Sequence, residues 1–281
     1  MSPLAATKQG EGATETQPVR GPSEAECGRL GRKPQFDAVR DVVTDLALQP
    51  TVPSCALLVS GHEDAGHRFF LRQLLQTPTL LRGRPTSLGR PLHDQYDVSV
   101  LIPWVAQRLG LTEPGPVLTL QDLAERVAAE LMRQPLGLVL DQIHRLAGGV
   151  FAFQQHFWLP LFAHLQESRA RFPKSHRLVA IVTDYIGDLD QGADVPWQRT
   201  PTDAPLDYRK LILLPRLTDL SDRDVVQWLL EVRGMTEDGS GRLGEIARNV
   251  LHNAKGEPDP TPVRVFERLK DESLWLENEE P

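Results

Sequence analysis

Short apolar runs alternate with amphipathic segments along most of the chain. The runs show no apolar–polar alternation, which is typical of strands buried on both faces of a parallel sheet. They cover residues 55–60, 136–141, 177–183 and 210–214, and a short further strand is expected near 84–88. Helical patterns lie between them, so the order of elements predicts an α/β fold with a parallel sheet flanked by helices.

The helical patterns begin at capping residues and end at prolines or polar residues. Asp97 is a predicted N-cap, and Thr119 with Asp122 resembles a capping box. Pro160 is expected to kink or divide the aromatic-rich segment 150–171. The predicted helices cover residues 34–49, 68–76, 97–109, 119–133, 150–171 and 242–253, with two more that begin at 221 and 261.

Composition divides the chain into four predicted parts. Residues 1–33 are small or polar and carry few large aliphatic side chains, so we expect a disordered tail. Residues 34–214 form the α/β core. Only helical patterns follow over 215–272, which predicts a small helical lid or a winged-helix-like subdomain. Residues 273–281 form an acidic tail.

Charge, cysteine content and hydropathy disfavour several classes of protein. A net charge of −7 disfavours general nucleic-acid binding, because neutralising phosphates requires clustered Lys and Arg. Cys27 and Cys55 lie in a polar stretch and an apolar run, which disfavours a disulfide. No apolar run approaches the length of a membrane helix, and no secretory signal is recognisable. We therefore expect a cytoplasmic protein that does not associate with a membrane.

A degenerate phosphate-binding loop follows the first predicted strand. Residues 61–68 read GHEDAGHR, in which Gly61 and Gly66 match the spacing of the motif G-x-x-x-x-G-K-[ST]. In a working loop the Lys contacts the terminal phosphates and the hydroxyl binds magnesium, but His67 and Arg68 stand at those positions. An unperturbed histidine is mostly neutral at pH 7, and arginine has no lone pair for a metal.

The loop also contains two carboxylates where an anion would bind, those of Glu63 and Asp64. Removing one charge-assisted contact costs about 1.5–3 kcal/mol, which is roughly a ten- to hundredfold loss of affinity. No cofactor is therefore expected. Two interpretations stay open: the glycines preserve only a tight turn, or the backbone amides and Arg68 still bind ATP or ADP weakly without magnesium.

Two later strands end in polar residues at the positions where related ATPases carry catalytic groups. Asp141 is placed like a magnesium-binding carboxylate, while Gln142, which follows it, cannot act as a general base. Asp141 either keeps a role near a metal or accepts hydrogen bonds from the neighbouring loop. Thr183 and Asp184 are placed like a polar sensor of the terminal phosphate. No catalytic residue and no metal site are predicted.

Three segments together resemble the inactive STAND family, degenerate relatives of the STAND and AAA+ ATPases. They are residues 57–75 (LLVSGHEDAGHRFFLRQLL), 137–141 (GLVLD) and 212–229 (ILLPRLTDLSDRDVVQWL). The resemblance implies a P-loop NTPase fold without ATPase activity. It also implies a role in a bacterial conflict or signalling system, coupling to a separate effector or adaptor protein, and possible oligomerisation.

The leading hypothesis is therefore a regulatory, sensing or scaffolding module that uses the α/β core to recognise a protein partner. One alternative is a nucleotide-binding switch that does not hydrolyse its ligand. A second alternative is an atypical ATPase, in which Lys174 or Lys210 would have to approach the loop in space.

Overall fold

A single six-stranded parallel sheet forms the centre of the molecule. The computed structural model describes residues 26, 29–75, 84–86, 95–111, 119–186, 189, 197–200, 204–231, 242–252 and 261–269. The strands are β1 (Ser54–Ser60), β2 (Arg84–Thr86), β3 (Leu136–Leu140), β4 (Leu178–Asp184), β5 (Trp197–Arg199) and β6 (Leu211–Leu213). Their spatial order is β2-β3-β4-β1-β6-β5, and every neighbouring pair is parallel. The predicted parallel α/β sheet is confirmed.

The central strands are apolar because both of their faces are covered. All seven residues of β1 and all five of β3 are buried. β1 runs in register with β4, from Ser54 beside Leu178 to Ser60 beside Asp184. Both strands therefore end at the same edge of the sheet, and the residues that follow them lie close together.

Helices α1 (Lys33–Leu48), α2 (His67–Leu75), α3 (Val98–Arg108), α4 (Leu120–Leu131), α5 (Gly149–Phe153) and α6 (Leu159–Glu167) lie between or before the strands. The predicted caps are confirmed. Asp97 accepts hydrogen bonds from the amides of Ser99 and Val100, and Thr119 forms a reciprocal capping box with Asp122.

The aromatic-rich segment predicted over 150–171 is divided just before Pro160, where a division was expected. A π-helical turn at Gln154–Trp158 separates α5 from α6. Pro160 lies in the first turn of α6.

Three C-terminal helices, α7 (Asp222–Glu231), α8 (Arg242–Leu251) and α9 (Pro262–Leu269), pack around a second hydrophobic cluster. That cluster is separate from the core around the sheet. The described part of residues 218–269 contains no strand, so a wing has no support there. Whether these helices act as a lid stays a prediction.

The N-terminal boundary of ordered structure differs from the expected one. Leu30 and Arg32 lie within the predicted polar tail, but both are buried. Leu30 packs in the cluster of the C-terminal helices, and Arg32 donates hydrogen bonds to the carbonyls of Ala65 and Thr218. Residues 1–25 and 270–281, which include most of the predicted tail and the whole acidic tail, lie outside the described residues.

Strand β5 at the sheet edge was not predicted. It has only three residues, Trp197–Arg199, and one of these is exposed, so it leaves no apolar run in the sequence. The strand expected near 84–88 is present as β2. Among the described residues, no helix is both long and apolar enough to cross a membrane.

Candidate functional site: a degenerate phosphate loop

The loop at residues 61–66 lies at the carboxyl edge of the sheet, between β1 and α2. β1 has β4 on one side and β6 on the other, and the chain leaves β1 for the distant strand β2. Ligands of open α/β sheets bind in the crevice at such a switch point, outside the carboxyl ends of the strands. The structure therefore places the degenerate motif where a nucleotide would bind in a working relative.

Both loop glycines are required by close packing. Gly66 has φ +80°, and a Cβ there would lie 2.9 Å from Cβ of Pro262 in α9. A Cβ on Gly61 would lie 2.8 Å from the carbonyl oxygen of Leu217. These contacts give each glycine a structural reason that does not involve phosphate.

The two loop carboxylates do not fill the loop, because Glu63 and Asp64 are both exposed. Arg68, at the position of the magnesium-binding hydroxyl, is exposed too. His62 is bound within the protein: its Nε2 lies 2.8 Å from Oδ1 of Asp219. The side chains of residues 62–64 therefore leave the inner side of the loop to other groups.

His67, at the position of the phosphate-binding lysine, is buried with only 1% of its surface exposed. Its ring stacks on Tyr185, with ring centroids 4.1 Å apart and planes inclined by 29°. Burial is the main cause that lowers the pKa of His67 to about 3, with the positive charge of Arg32 next. The ring is therefore neutral at physiological pH and cannot replace the charge of a lysine.

Neither ring nitrogen of His67 has a hydrogen-bond partner of normal geometry among the described residues. The backbone carbonyl of Asp184 raises the pKa of the ring somewhat, against the larger effect of burial. The positive charge of Arg32 already lies near this ring, and a cationic side chain at residue 67 would be buried beside it without a counter-ion. The pocket therefore disfavours any cation at residue 67.

The carboxylate of Asp141 accepts two hydrogen bonds within the protein. Thr183 Oγ1 donates to Oδ1 at 2.7 Å, and the hydroxyl of Tyr185 donates to the same atom at 2.8 Å. The backbone amide of Gln142 in turn donates to Thr183 Oγ1 at 2.9 Å. The site therefore joins Asp141 to the sensor-like residue Thr183, as the shared edge of β3 and β4 predicts.

Gln142 adopts a left-handed backbone, with φ +62°, and its side chain is buried. Its Oε1 has no partner among the described residues. An amide oxygen accepts hydrogen bonds but cannot take a proton from water at neutral pH, so this residue supplies no base. Asp184 is buried as well, and its carbonyl accepts a 3.2 Å hydrogen bond from the amide of Gly61.

Tyr185 is the central residue of the site and was missed in the sequence. Burial first, and then the neighbouring carboxylate of Asp141, raises the pKa of its hydroxyl, which therefore stays protonated and donates. Its backbone amide lies 3.3 Å from Nδ1 of His144, so that nitrogen is the acceptor. No motif marks Tyr185; the only signal was its place directly after the polar end of β4.

Arg32 is the second residue that the sequence did not indicate. Its guanidinium donates to the carbonyl of Ala65 in the loop at 2.5 Å and to the carbonyl of Thr218 at 3.1 Å. The residue precedes α1 by one position and lies far from the motif in sequence. Arg32 ends a polar N-terminal stretch, and no pattern in that stretch distinguishes a buried arginine from an exposed one.

The two lysines considered as substitutes lie at the opposite edge of the sheet. Lys174 precedes β4 and Lys210 precedes β6, and these strands run parallel to β1, so both lysines lie at the amino edge. Both side chains are exposed. Among the described residues there is also no group of three His, Cys, Asp or Glu side chains that could hold a metal ion.

A family model described as inactive STAND matches residues 28–182, which is more than half of the chain. The chain belongs to the inactive STAND family. The match includes the loop, Asp141 and most of β4. The resemblance to this family inferred from the sequence is therefore confirmed. A search of curated proteins found no match to this inactive STAND protein.

Solved structures that resemble this inactive STAND protein share little sequence with it. Cdc6p from Pyrobaculum aerophilum is 15% identical, with a TM-score of 0.48; the match covers 89% of this chain and spans 64% of the Cdc6p chain. A chain of the E. coli MS115-1 HORMA:CdnC:Trip13 complex is 13% identical, with a TM-score of 0.39, over 91% of this chain and 94% of that one.

Proposed function

We propose that this inactive STAND protein is a non-hydrolysing module that acts as a regulatory, sensing or scaffolding component of a bacterial conflict or signalling system. In this proposal it works in the cytoplasm by binding a separate effector or adaptor protein, and its fold requires no bound nucleotide. Self-association of the module would be compatible with this role.

The proposal rests mainly on the hydrogen bonds to Asp141. A magnesium ion bound through Oδ1 of this carboxylate would have to displace the hydroxyls of Thr183 and Tyr185, which both donate to that oxygen. Each hydrogen bond to a charged group contributes about 1.5–3 kcal/mol, so displacing both is a substantial cost before any metal is bound. His67 supplies no compensating charge, because its ring is neutral and buried.

Hydrolysis of ATP by the purified full chain tests this proposal. We expect the rate of phosphate release to equal that of an Asp141→Asn variant, which removes the carboxylate at the magnesium position. A clearly faster rate in the unmodified chain, lost in Asp141→Asn, would show a working metal site and contradict the proposal. Asp141→Asn keeps an oxygen that can accept hydrogen bonds, so we expect the variant to fold. Circular dichroism checks its fold.

The conflict-system role is tested separately in cells. We expect deletion of the gene in its native host to lower resistance to infecting phage or to a competing strain. An allele carrying Arg68→Ala, which removes an exposed side chain in the first turn of α2 and its interaction with the hydroxyl of Tyr185, should restore resistance fully, because no phosphate chemistry is needed. Unchanged resistance after deletion would contradict the proposed conflict role.

A nucleotide-binding switch is the second candidate, and one observation favours it. The side chains of Glu63 and Asp64 are exposed, so they do not occupy the phosphate side of the loop. Arg68 is exposed at the N-terminus of α2, where it could contact an anion together with backbone amides. This candidate predicts binding of ATP or ADP that is independent of magnesium and sensitive to Arg68.

A further inference from the structure

Arg32 lies between the α/β core and the C-terminal helices, and only 1% of its surface is exposed. On the core side its Nη2 donates to the carbonyl of Ala65 in the degenerate loop. On the other side its Nη1 donates to the carbonyl of Thr218, four residues before α7 begins. One side chain therefore bridges the loop and the segment that leads into the C-terminal helices.

The electrostatic surroundings keep this buried side chain charged. Burial lowers the pKa of Arg32 to about 10, and the carboxylates of Asp224 and Asp219 act in the opposite direction. Both aspartates belong to the C-terminal side, one within α7 and one just before it. The cation is thus attracted toward the C-terminal helices while it donates to the core loop.

Residues close to Arg32 in the chain also contact the C-terminal helices and the segment that leads into them. Leu30 is fully buried in the hydrophobic cluster of the C-terminal helices. Gly31 has φ +61°, which other residues rarely adopt, and a Cβ there would lie 2.5 Å from Cδ2 of Leu220, so a larger residue would be strained and would displace that leucine side chain. On the core side, Gln35 Nε2 donates to the carbonyl of Arg216 at 3.0 Å.

A direct contact between α2 and α9 lies next to Arg32. The rings of Phe69 in α2 and Phe266 in α9 meet edge to face, with centroids 4.2 Å apart. Gly66 at the start of α2 closely approaches Pro262 at the start of α9, and a Cβ on Gly66 would lie 3.5 Å from Nη2 of Arg32. The hydrogen bonds of Arg32 therefore lie beside a packing contact between α2 and α9.

We propose that Arg32 is an intramolecular latch that holds the C-terminal helices on the degenerate phosphate loop without any ligand. Release of the guanidinium from Ala65 and Thr218 lets α7 and α9 separate from α2 while the parallel sheet stays folded. The latch is a conformational device beyond the proposed function, because it depends on the contacts of Arg32 and not on the chemistry at Asp141.

Hydrogen–deuterium exchange of the full chain, without nucleotide, tests the latch. In Arg32→Ala we expect amides of residues 222–231 and 262–269 to exchange at least tenfold faster, while amides of β1 and β4 keep the exchange rates of the unmodified chain. Arg32→Lys keeps the charge but cannot donate to two carbonyls in a fork, so it should show a smaller increase. Lys33→Ala is the matched control, since it removes an exposed ion pair to Glu231 from the adjacent position.

Three results would overturn the latch. The first is unchanged exchange in α7 and α9 of Arg32→Ala. The second is an equal increase in β1, β4 and the C-terminal helices, which would make Arg32 a general support of the fold. The third is an increase in Lys33→Ala as large as that in Arg32→Ala. If Arg32→Ala does not fold, Arg32→Lys is judged by the same three comparisons.

Discussion

The hydroxyl of Tyr185 donates a 2.8 Å hydrogen bond to Oδ1 of Asp141, the carboxylate at the strand end where a working phosphate-loop enzyme binds magnesium. The same tyrosine ring stacks on His67, which stands where such an enzyme has its phosphate-binding lysine. Tyr185 thus contacts both the carboxylate at the magnesium position and the histidine at the lysine position. The proposed loss of activity and the close packing of the site therefore share one side chain.

We predict that Tyr185→Phe lowers the free energy of unfolding by about 1–2 kcal/mol, because it removes a hydrogen bond to a carboxylate but keeps the stacked ring. Urea denaturation measures this change. Tyr208→Phe is the matched control, since the hydroxyl of Tyr208 donates to Asp45 at 2.6 Å far from the site. If Tyr185→Phe leaves stability unchanged while Tyr208→Phe lowers it, the bond to Asp141 contributes nothing.

We predict that His67 makes the protein less stable in mild acid. Its pKa is about 3 in the folded state and near the ordinary value of 6.5 in the unfolded state. Between these values the unfolded chain binds a proton that the folded chain does not, so stability falls as the pH decreases below 6.5. The slope from one such proton reaches about 1.4 kcal/mol per pH unit.

The measurement is the difference in unfolding free energy between the unmodified chain and His67→Phe from pH 7 to pH 4. The variant keeps a ring against Tyr185 but cannot bind a proton, so its stability should fall less steeply with acid. Carboxyl groups contribute equally to both curves and cancel in the difference. Parallel curves would mean that His67 titrates normally in the folded state.

We predict that Gly66→Ala destabilises the protein more than Gly149→Ala does. Both glycines have positive φ, +80° and +56°, so both substitutions introduce backbone strain of about 1 kcal/mol. Only Gly66 has a neighbour in the way, Pro262, whereas a Cβ on Gly149 meets nothing within 4 Å. The extra loss for Gly66→Ala should be about 1–2 kcal/mol in thermal or urea unfolding. Equal losses of stability in the two variants would mean that α9 shifts to accommodate the added methyl group at no cost in free energy.

We predict that restoring the motif does not restore an enzyme. His67→Lys combined with Arg68→Ser recreates the letters of a working loop, but it places an ammonium group in a buried pocket already made unfavourable to cations by Arg32. The double variant should lose about 3 kcal/mol or more of stability and should not hydrolyse ATP. Arg68→Ser alone, at an exposed position, is the control; it removes the interaction with the hydroxyl of Tyr185 and should stay within about 1 kcal/mol of the unmodified chain. ATP turnover by the double variant would contradict the prediction.

The sequence predicted the fold well because the fold depends on regular patterns. Buried strands such as β1 and β3 leave uninterrupted apolar runs, and the capping box at Thr119 and Asp122 has a local signature. Three-residue β5 has neither, so it was missed. The division of segment 150–171 near Pro160 was expected, but its π-helical form was not, since no local residue pattern indicates such a turn.

The candidate site was predicted only as far as its motif extends. The glycine spacing and the strand ends indicated the loop, Asp141 and Thr183, which the structure brings to one edge of the sheet. Tyr185 and Arg32 act through contacts between residues more than 30 positions apart in the chain. Such contacts follow from the sheet order and from the packing of the C-terminal helices, and a single sequence carries no signal for them.

The most direct test of the central claim is the melting temperature of the full chain with millimolar ATP, ADP or GTP, with and without magnesium. A ligand at a hundred times its dissociation constant adds about 2.7 kcal/mol of stability, which would raise the melting temperature by several degrees. The inactive module predicts the same melting temperature under every condition. A rise of several degrees that Arg68→Ala abolishes would contradict it and establish that the loop still binds nucleotide.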